Sequence, residues 1–458
     1  MATESEISRR GFLKTAGVAA AGAAAVGGGV ASRTGALVGH GIRENVEEMR
    51  PGTNGQELKV QAHRTLGRTG FQVSDIGFGA GSLTNSNVLA VGLDMGINYV
   101  DTAEHYMNGQ SELAIGRVLR GRDRSSIFLT TKLNLSFGGA GSKEDLKGRF
   151  HACLDRLQTD YADCLMIHMT PRVEEVKDEE FHAAYQELKA EGRVRYLGLS
   201  NHGTEHSVWG RIESPMEQVI GAAAEDGRFD VALFVYNFLQ KDQGQRIIDA
   251  CQARNMGVTL MKTNPVAVVS QVVESSEASR ARGRLSESRE RLVRDYEEWA
   301  QAAEEFKERH GLRSAGEVRD AAIKFCLANT GVHTVCPTMN TFDELEAFVA
   351  LSGQALSSAD TPMLASYHQL LGPYYCRHAC GICEPSCPHQ VPINTISRYG
   401  HYFNAQSRQK QAIQKYAKLP GPRAELCADC DGHCENACPY GVRARTLLSR
   451  AHDILTLA

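Results

Sequence analysis

Short apolar runs alternate with amphipathic stretches from about Thr65 to Leu351, and the alternation repeats often enough to define a fold class. The strand-like runs are Ile97–Val100, Ile127–Thr131, Cys164–Ile167, Arg195–Leu199, Val231–Val235, Val258–Met261 and Thr334–Cys336. Between them apolar positions recur at helical spacing, as in Glu112–Leu119, Lys143–Leu157, Glu179–Glu191 and Gln245–Arg254. Brief buried strands separated by helices predict an α/β fold with a parallel sheet. Repetition over this length favours a closed (β/α)8 TIM barrel, placed at 64–355, over an open sheet. The rhythm breaks at about 266–313, which is rich in Glu, Arg, Ser and Ala with Leu292, Tyr296, Trp299 and Phe306 at helical spacing. This segment predicts a helical insertion after the seventh strand, either a solvated packing element or a lid over substrate or partner.

The start of the chain follows a different pattern. Ser8-Arg9-Arg10-Gly11-Phe12-Leu13-Lys14 resembles the bacterial twin-arginine signal. The Ala/Gly-rich run that follows, to Ala31, is too short and too rich in glycine to make a good membrane span. Gly29-Val30-Ala31 offers small residues for cleavage before Ser32, so 1–31 reads as a signal and 32–63 as a linker. The resemblance implies export of a folded, cofactor-loaded protein to the periplasm or another extracytoplasmic space, with membrane association only through an uncleaved signal.

Composition narrows the partners. The 458 residues carry a net charge of −4, with no basic excess to attract nucleic acid or an anionic membrane. Five of the 13 cysteines (Cys153, Cys164, Cys251, Cys326 and Cys336) are scattered through apolar or helical contexts, as small buried hydrophobes are. The other eight fall in two groups, Cys376-x3-Cys380-x2-Cys383-x3-Cys387-Pro388 and Cys427-x2-Cys430-x3-Cys434-x3-Cys438-Pro439. Both are similar to the cysteine run of bacterial two-cluster ferredoxins, with one extra residue in one gap each. That resemblance implies two [4Fe–4S] clusters. Cys376, Cys380, Cys383 and Cys438 would hold one, and Cys387, Cys427, Cys430 and Cys434 the other. Four-cysteine zinc sites are the main competitor, with a disulfide framework behind it. The helix-compatible spacer Ile393–Lys418 makes 376–458 a small, mostly helical ferredoxin-like domain, joined to the barrel by a linker at 356–375.

Four ionisable residues stand where the apolar character of a strand stops, which in such a barrel is the active-site mouth. Asp101 ends one run, Tyr106 lies five residues later, Lys132 ends the next and His168 the third. A phenol with a pKa near 10 is a poor proton donor at neutral pH. An ammonium beside it favours the phenolate, and a carboxylate keeps that ammonium charged. Together with a histidine that orients an oxygen, such groups can protonate the alkoxide formed by hydride attack on a carbonyl, or run the reverse.

The run Asp101–Gly116 (D-T-A-E-H-Y-M-N-G-Q-S-E-L-A-I-G), T-T-K-L at Lys132, D-C-L-M-I-H at His168 and Gly192–His202 resemble the aldo-keto reductase family across roughly 64–351. The resemblance implies Tyr106 as general acid/base, Lys132 and Asp101 as its tuning pair, and His168 as substrate orienter. It also implies a nicotinamide coenzyme, NAD(P)H, with Ser200 and Asn201 on the carboxamide and Tyr236, Met261 and Lys262 at the cofactor side. Departures occur on that side. Leu233 stands where the family often has Gln, Met261 where it has a stacking ring, and Glu344 near the expected Arg. A 2′-phosphate needs cationic donors, so an acid there disfavours NADP; NAD, weak binding or no dinucleotide stay open.

The reading that joins these parts is an oxidoreductase acting on a small carbonyl or alcohol substrate in the barrel. Two [4Fe–4S] clusters would pass its electrons to a redox partner protein or a quinone-linked carrier. The alternatives are an NAD(P)H-dependent carbonyl reductase with structural clusters, and a non-catalytic electron-transfer protein.

Overall fold

Eight parallel strands close on themselves in the computed structural model, which describes residues 58–135, 141–202, 214–266, 287–378, 380–405 and 408–456. The expected signal, all but the last residues of the linker after it, and 267–286 of the expected insertion lie outside the described residues. A short antiparallel hairpin, β1 (His63–Thr65) with β2 (Gln72–Ser74), precedes the barrel. The barrel strands are β3 (Phe78–Gly79), β4 (Tyr99–Asp101), β5 (Phe128–Leu133), β6 (Ala162–Ile167), β7 (Val194–Asn201), β8 (Val231–Val235), β9 (Gly257–Met261) and β10 (Thr334–Val335). Each hydrogen-bonds the next in chain order. The ring shuts where parallel bridges join Ile76 to Val335 and Gly79 to Thr338.

The pattern of apolar runs does not pick out β3, which is two residues long among glycines. Its closure explains the glycine at 79. A Cβ there would sit 2.9 Å from the Cys336 carbonyl oxygen, too near for any other residue. Strands β5 and β6 are buried at every position, because helices cover one face of a parallel barrel and its own core fills the other. A lysine inside such a strand therefore demands a partner.

The helical layer starts where polar caps precede apolar periodicity. Ser142 Oγ accepts from the Asp145 amide to begin Lys143–Leu157, which buries Leu146, Phe150, Cys153, Leu154 and Leu157. Asp178 likewise caps Glu179–Ala190 through the Phe181 amide. The charged segment contributes helix Glu287–His310, whose Leu292, Tyr296, Trp299 and Phe306 are buried. Residues 356–375, expected as a linker, instead contain helix Asp360–Leu371, with Met363, Leu364, Tyr367 and Leu371 buried. The Ser-Ser-Ala-Asp-Thr-Pro start looks like a loop, yet Lys324 pairs with Asp360 at 2.5 Å and fixes the turn.

Beyond it, helices Ile393–Ala405, Gln409–Ala417, His433–Asn436 and Ala444–Thr456 pack around Val391, Ile396, Tyr416 and Leu448. This segment meets the loops that follow the strands. Arg408 Nη2 donates to Ser82 Oγ at 2.8 Å, beyond β3. Gln240, beyond β8, donates to the His378 carbonyl at 2.6 Å and accepts from the His378 amide at 3.0 Å. The Arg377 guanidinium, 2% exposed, donates to the carbonyls of Leu239, Gly372 and Tyr375. The C-terminal helices thus cover the mouth of the barrel. Among the described residues no helix is long and apolar enough to cross a membrane.

Candidate active site

Strands β4, β5 and β6 end side by side, with Asp101 opposite Thr130 and Lys132 opposite Met166 in register. That register brings Asp101, Lys132 and His168 to one end of the barrel. Lys132, 0% exposed, donates to Asp101 Oδ1 at 2.7 Å and to the Thr102 carbonyl at 2.7 Å. Tyr106 arrives from the loop after β4. The Lys132 amine is 5.0 Å from the centre of its ring, close enough for its charge to act on the phenol. The four residues singled out at the strand ends therefore do meet.

Burial governs the protonation states here. It would lower the Lys132 amine, but the charge and hydrogen bond of Asp101, with Tyr106 beside them, outweigh it and hold the amine above its ordinary value. Burial pushes the Asp101 carboxyl up against the pull of Lys132. Part of Tyr106 reaches solvent, yet its hydroxyl is enclosed, and this enclosure raises the phenol despite the ammonium beside it. The expected net acidification of the phenol is thus reversed in direction, because loss of hydration outweighs the single neighbouring charge. Tyr106 is a protonated phenol at neutral pH, which suits proton donation.

His168 is 1% exposed, and neither ring nitrogen has a hydrogen-bond partner among the described residues. Burial, with His105, Lys132 and His202 nearby, holds it far below the ordinary imidazole value, so it is neutral. Two histidines that the strand-end pattern did not single out complete the group. The His105 ring stacks on His168 with centroids 4.6 Å apart, and His202 lies 5.6 Å from His168. Their signal was present: His105 directly precedes Tyr106, and His202 directly follows Asn201. Met107, Asn108, Met169 and Lys262 adopt left-handed backbone angles (φ 52°, 56°, 59° and 54°), so non-glycine strain gathers at these loops.

The cofactor-side residues divide. Ser200 and Asn201 are fully buried at the end of β7, where Ser200 Oγ accepts from the Met169 amide and Asn201 donates to the Thr170 carbonyl. Met261 ends β9, and Lys262 reaches the His202 carbonyl at 3.4 Å. Tyr236 is not brought to this group. Its ring lies against Phe325 and over Gly244, and its hydroxyl accepts from Asn329 in the helical layer. Glu344 caps helix Phe342–Val349, accepting from the amides of Asn340 and Thr341 while the Thr341 hydroxyl accepts from the Glu344 amide.

None of the 13 cysteines is joined in a disulfide. Four of the scattered five are buried, and Cys336 is partly exposed. The eight C-terminal ones line two cavities. Cys387, Cys427, Cys430 and Cys434 wall the first, and Cys376, Cys380, Cys383 and Cys438 the second. Burial pushes the Cys376 and Cys427 thiols up to about 12 and Cys434 to about 11. Among the described residues, no three His, Cys, Asp or Glu side chains are grouped to hold a single metal ion.

A model of the aldo/keto reductase family matches residues 76–368, and the chain belongs to that family. Residues 6–31 match the twin-arginine translocation pathway signal sequence, which directs export by that route to the extracytoplasmic side. The chain is 36% identical over 150 residues to an uncharacterized oxidoreductase, YqkF, of Bacillus subtilis, covering 30% of this chain and 48% of that one. It is 26% identical over 193 residues to an NADH-specific methylglyoxal reductase of Escherichia coli, covering 37% of this chain and 53% of that one. It spans about half the length of these curated relatives. Among solved structures, aldo-keto reductase AKR11C1 from Bacillus halodurans matches with a TM-score of 0.48 at 25% identity, covering 66% of this chain and 95% of that one.

Proposed function

We propose that this chain is an exported oxidoreductase that interconverts a carbonyl and an alcohol in the barrel mouth and exchanges electrons through two [4Fe–4S] clusters. The observation that carries the first half is the enclosed Tyr106, Lys132 and Asp101 group beside a neutral His168 whose ring nitrogens have no hydrogen-bond partner among the described residues. The Tyr106 hydroxyl gives its proton to the oxygen of the carbonyl being reduced and takes it back in the reverse direction. Lys132 stabilises the phenolate left behind, and Asp101 keeps Lys132 charged. A His168 ring nitrogen donates to the same oxygen and fixes its direction.

A nicotinamide coenzyme, if bound here, would supply the hydride chemistry that the proton-transfer group complements. Ser200, Asn201, Met261 and Lys262 would hold its nicotinamide end, while Tyr236 is spoken for by the helical layer. The Glu344 carboxylate, on the amides of Asn340 and Thr341, repels a 2′-phosphate and favours NAD over NADP. The relative whose name specifies NADH is in keeping with that preference.

Two cavities with four cysteines each support the clusters. A [4Fe–4S] cluster takes one thiolate at each iron corner, so its four sulfurs surround the site instead of converging on one ion. The donor set fits, and it divides the eight cysteines as the ferredoxin resemblance implies. The clusters would exchange electrons one at a time with a redox partner protein or quinone-linked carrier, and linking them to hydride transfer in the barrel requires a flavin-type group that takes two electrons and releases them singly.

The test is a fluorescence titration of cluster-loaded protein with NADH and NADPH, followed by a screen of aldehydes, ketones and sugars with artificial electron acceptors. NADH binding and turnover of at least one substrate class are expected. Absence of both would overturn the enzymatic reading.

A further inference from the structure

The Cys376 set (with Cys380, Cys383 and Cys438) and the Cys427 set (with Cys387, Cys430 and Cys434) are alike in burial, each mixing enclosed and partly exposed thiols. They differ in what faces their sulfurs. At the Cys376 set, Asn394, 4% exposed, donates from Nδ2 to Cys376 Sγ at 3.3 Å. The Val442 amide donates to Cys438 Sγ at 3.4 Å. The buried Arg377 guanidinium lines this cavity, and its charge acts on Cys376 and Cys438. Arg398 adds to it at Cys376. Glu384 is the only acid in that wall among the described residues, and it is engaged at the Asn394 amide.

The Cys427 set has acids instead. Glu425 acts on Cys427 and Glu435 on Cys434. Asp429 and Asp431, both exposed, flank Cys430 in the chain. Arg445 lines this cavity, yet it pairs with Asp295 at 3.5 Å. His452 lies 3.8 Å from Glu425. Cys383 of one set and Cys434 of the other act on each other, so the two sets are neighbours.

An electron added to an iron–sulfur cluster is an added negative charge. Cations and N–H donors at the sulfurs therefore raise its reduction potential, and acids lower it. A buried guanidinium acts through little water, while salt partly screens exposed carboxylates. Both effects favour the reduced form at the Cys376 set.

We propose that Asn394, Val442 and Arg377 give the Cys376 set the higher reduction potential of the two, so that an added electron rests beside the barrel. Asn394 is then a positioning residue for electron delivery. The inference rests on the cluster reading above. Passage of one electron inward oxidises the site of the Cys427 set and reduces that of the Cys376 set, and it needs no proton or further reagent.

The test is a potentiometric titration of the cluster-loaded full chain followed by electron paramagnetic resonance, at pH 8, which keeps ordinary imidazoles neutral. Two one-electron steps are expected, separated at least about 10-fold in electron affinity, or about 59 mV. Asn394→Leu should weaken the upper step about fivefold and leave the lower one in place. Asp429→Asn combined with Asp431→Asn, at exposed positions, should raise the lower step and leave the upper one. This surface variant keeps the order testable should Asn394→Leu fail to take up iron. A shift of the lower step in Asn394→Leu, or of neither step, overturns the inference. A rise of the upper step in the surface variant, or steps that coincide in the wild type, also overturns it. Absence of any reducible cluster in the wild type overturns the cluster reading itself, and this inference with it.

Discussion

The Lys132 amine donates to Asp101 Oδ1 at 2.7 Å with both side chains almost wholly withdrawn from water. The bond sets the charge that faces Tyr106. Replacing Lys132 with Met leaves a buried carboxylate uncompensated and should cost about 3–5 kcal/mol of stability. The double replacement Lys132→Met with Asp101→Asn should recover most of that loss without recovering turnover. Urea denaturation of the three variants measures the first effect and substrate turnover the second.

Acid should weaken the fold through His105. Burial holds its imidazole at about 4, against 6.5 when exposed. Between those values the unfolded chain binds more protons than the folded one, so stability rises with pH from 4 to 6.5 and levels off above. Full expression of that shift is worth about 3 kcal/mol. His105→Gln should shrink the difference between urea midpoints at pH 4 and pH 7. An unchanged difference would remove this residue from the account.

The two cysteine cavities should load independently. Cys430→Ser should cut iron from about eight to about four atoms per chain, and Cys380→Ser should do the same. The consequences then differ, because Cys376 adjoins Arg377 and His378, which bond the barrel loop at Leu239 and Gln240. Loss of the site nearer the barrel should stop electron transfer to an external acceptor with either remaining cluster reducible by dithionite. Iron analysis and cluster absorbance check both statements.

Coenzyme preference should follow Glu344. NADH should bind at least 10-fold more tightly than NADPH, and Glu344→Ala should narrow that ratio. The same change removes half of the capping box on helix Phe342–Val349, at a cost of about 1 kcal/mol. Paired fluorescence titrations give the ratio directly.

The barrel was legible because parallel strands covered on both faces leave continuous apolar runs, and Phe128–Leu133 and Ala162–Ile167 fall within a residue or two of such runs. Asp101, Lys132 and His168 were legible because each interrupts such a run. Four features were not. Strand Phe78–Gly79 is too short to show a period, and helix Asp360–Leu371 starts with loop-like residues. The third was the direction of the Tyr106 shift, since a sequence shows which charge is adjacent but not how much water is lost. The cover over the barrel mouth depends on Gln240 meeting His378, residues 138 apart, and no local pattern encodes that pairing.

The central claim is that the Tyr106 hydroxyl carries the proton. The direct measurement is steady-state turnover of cluster-loaded wild type and Tyr106→Phe on a substrate found in the screen, with iron content determined on both. A fall in turnover of at least about 100-fold at unchanged iron content is predicted. Turnover within twofold of wild type would contradict it.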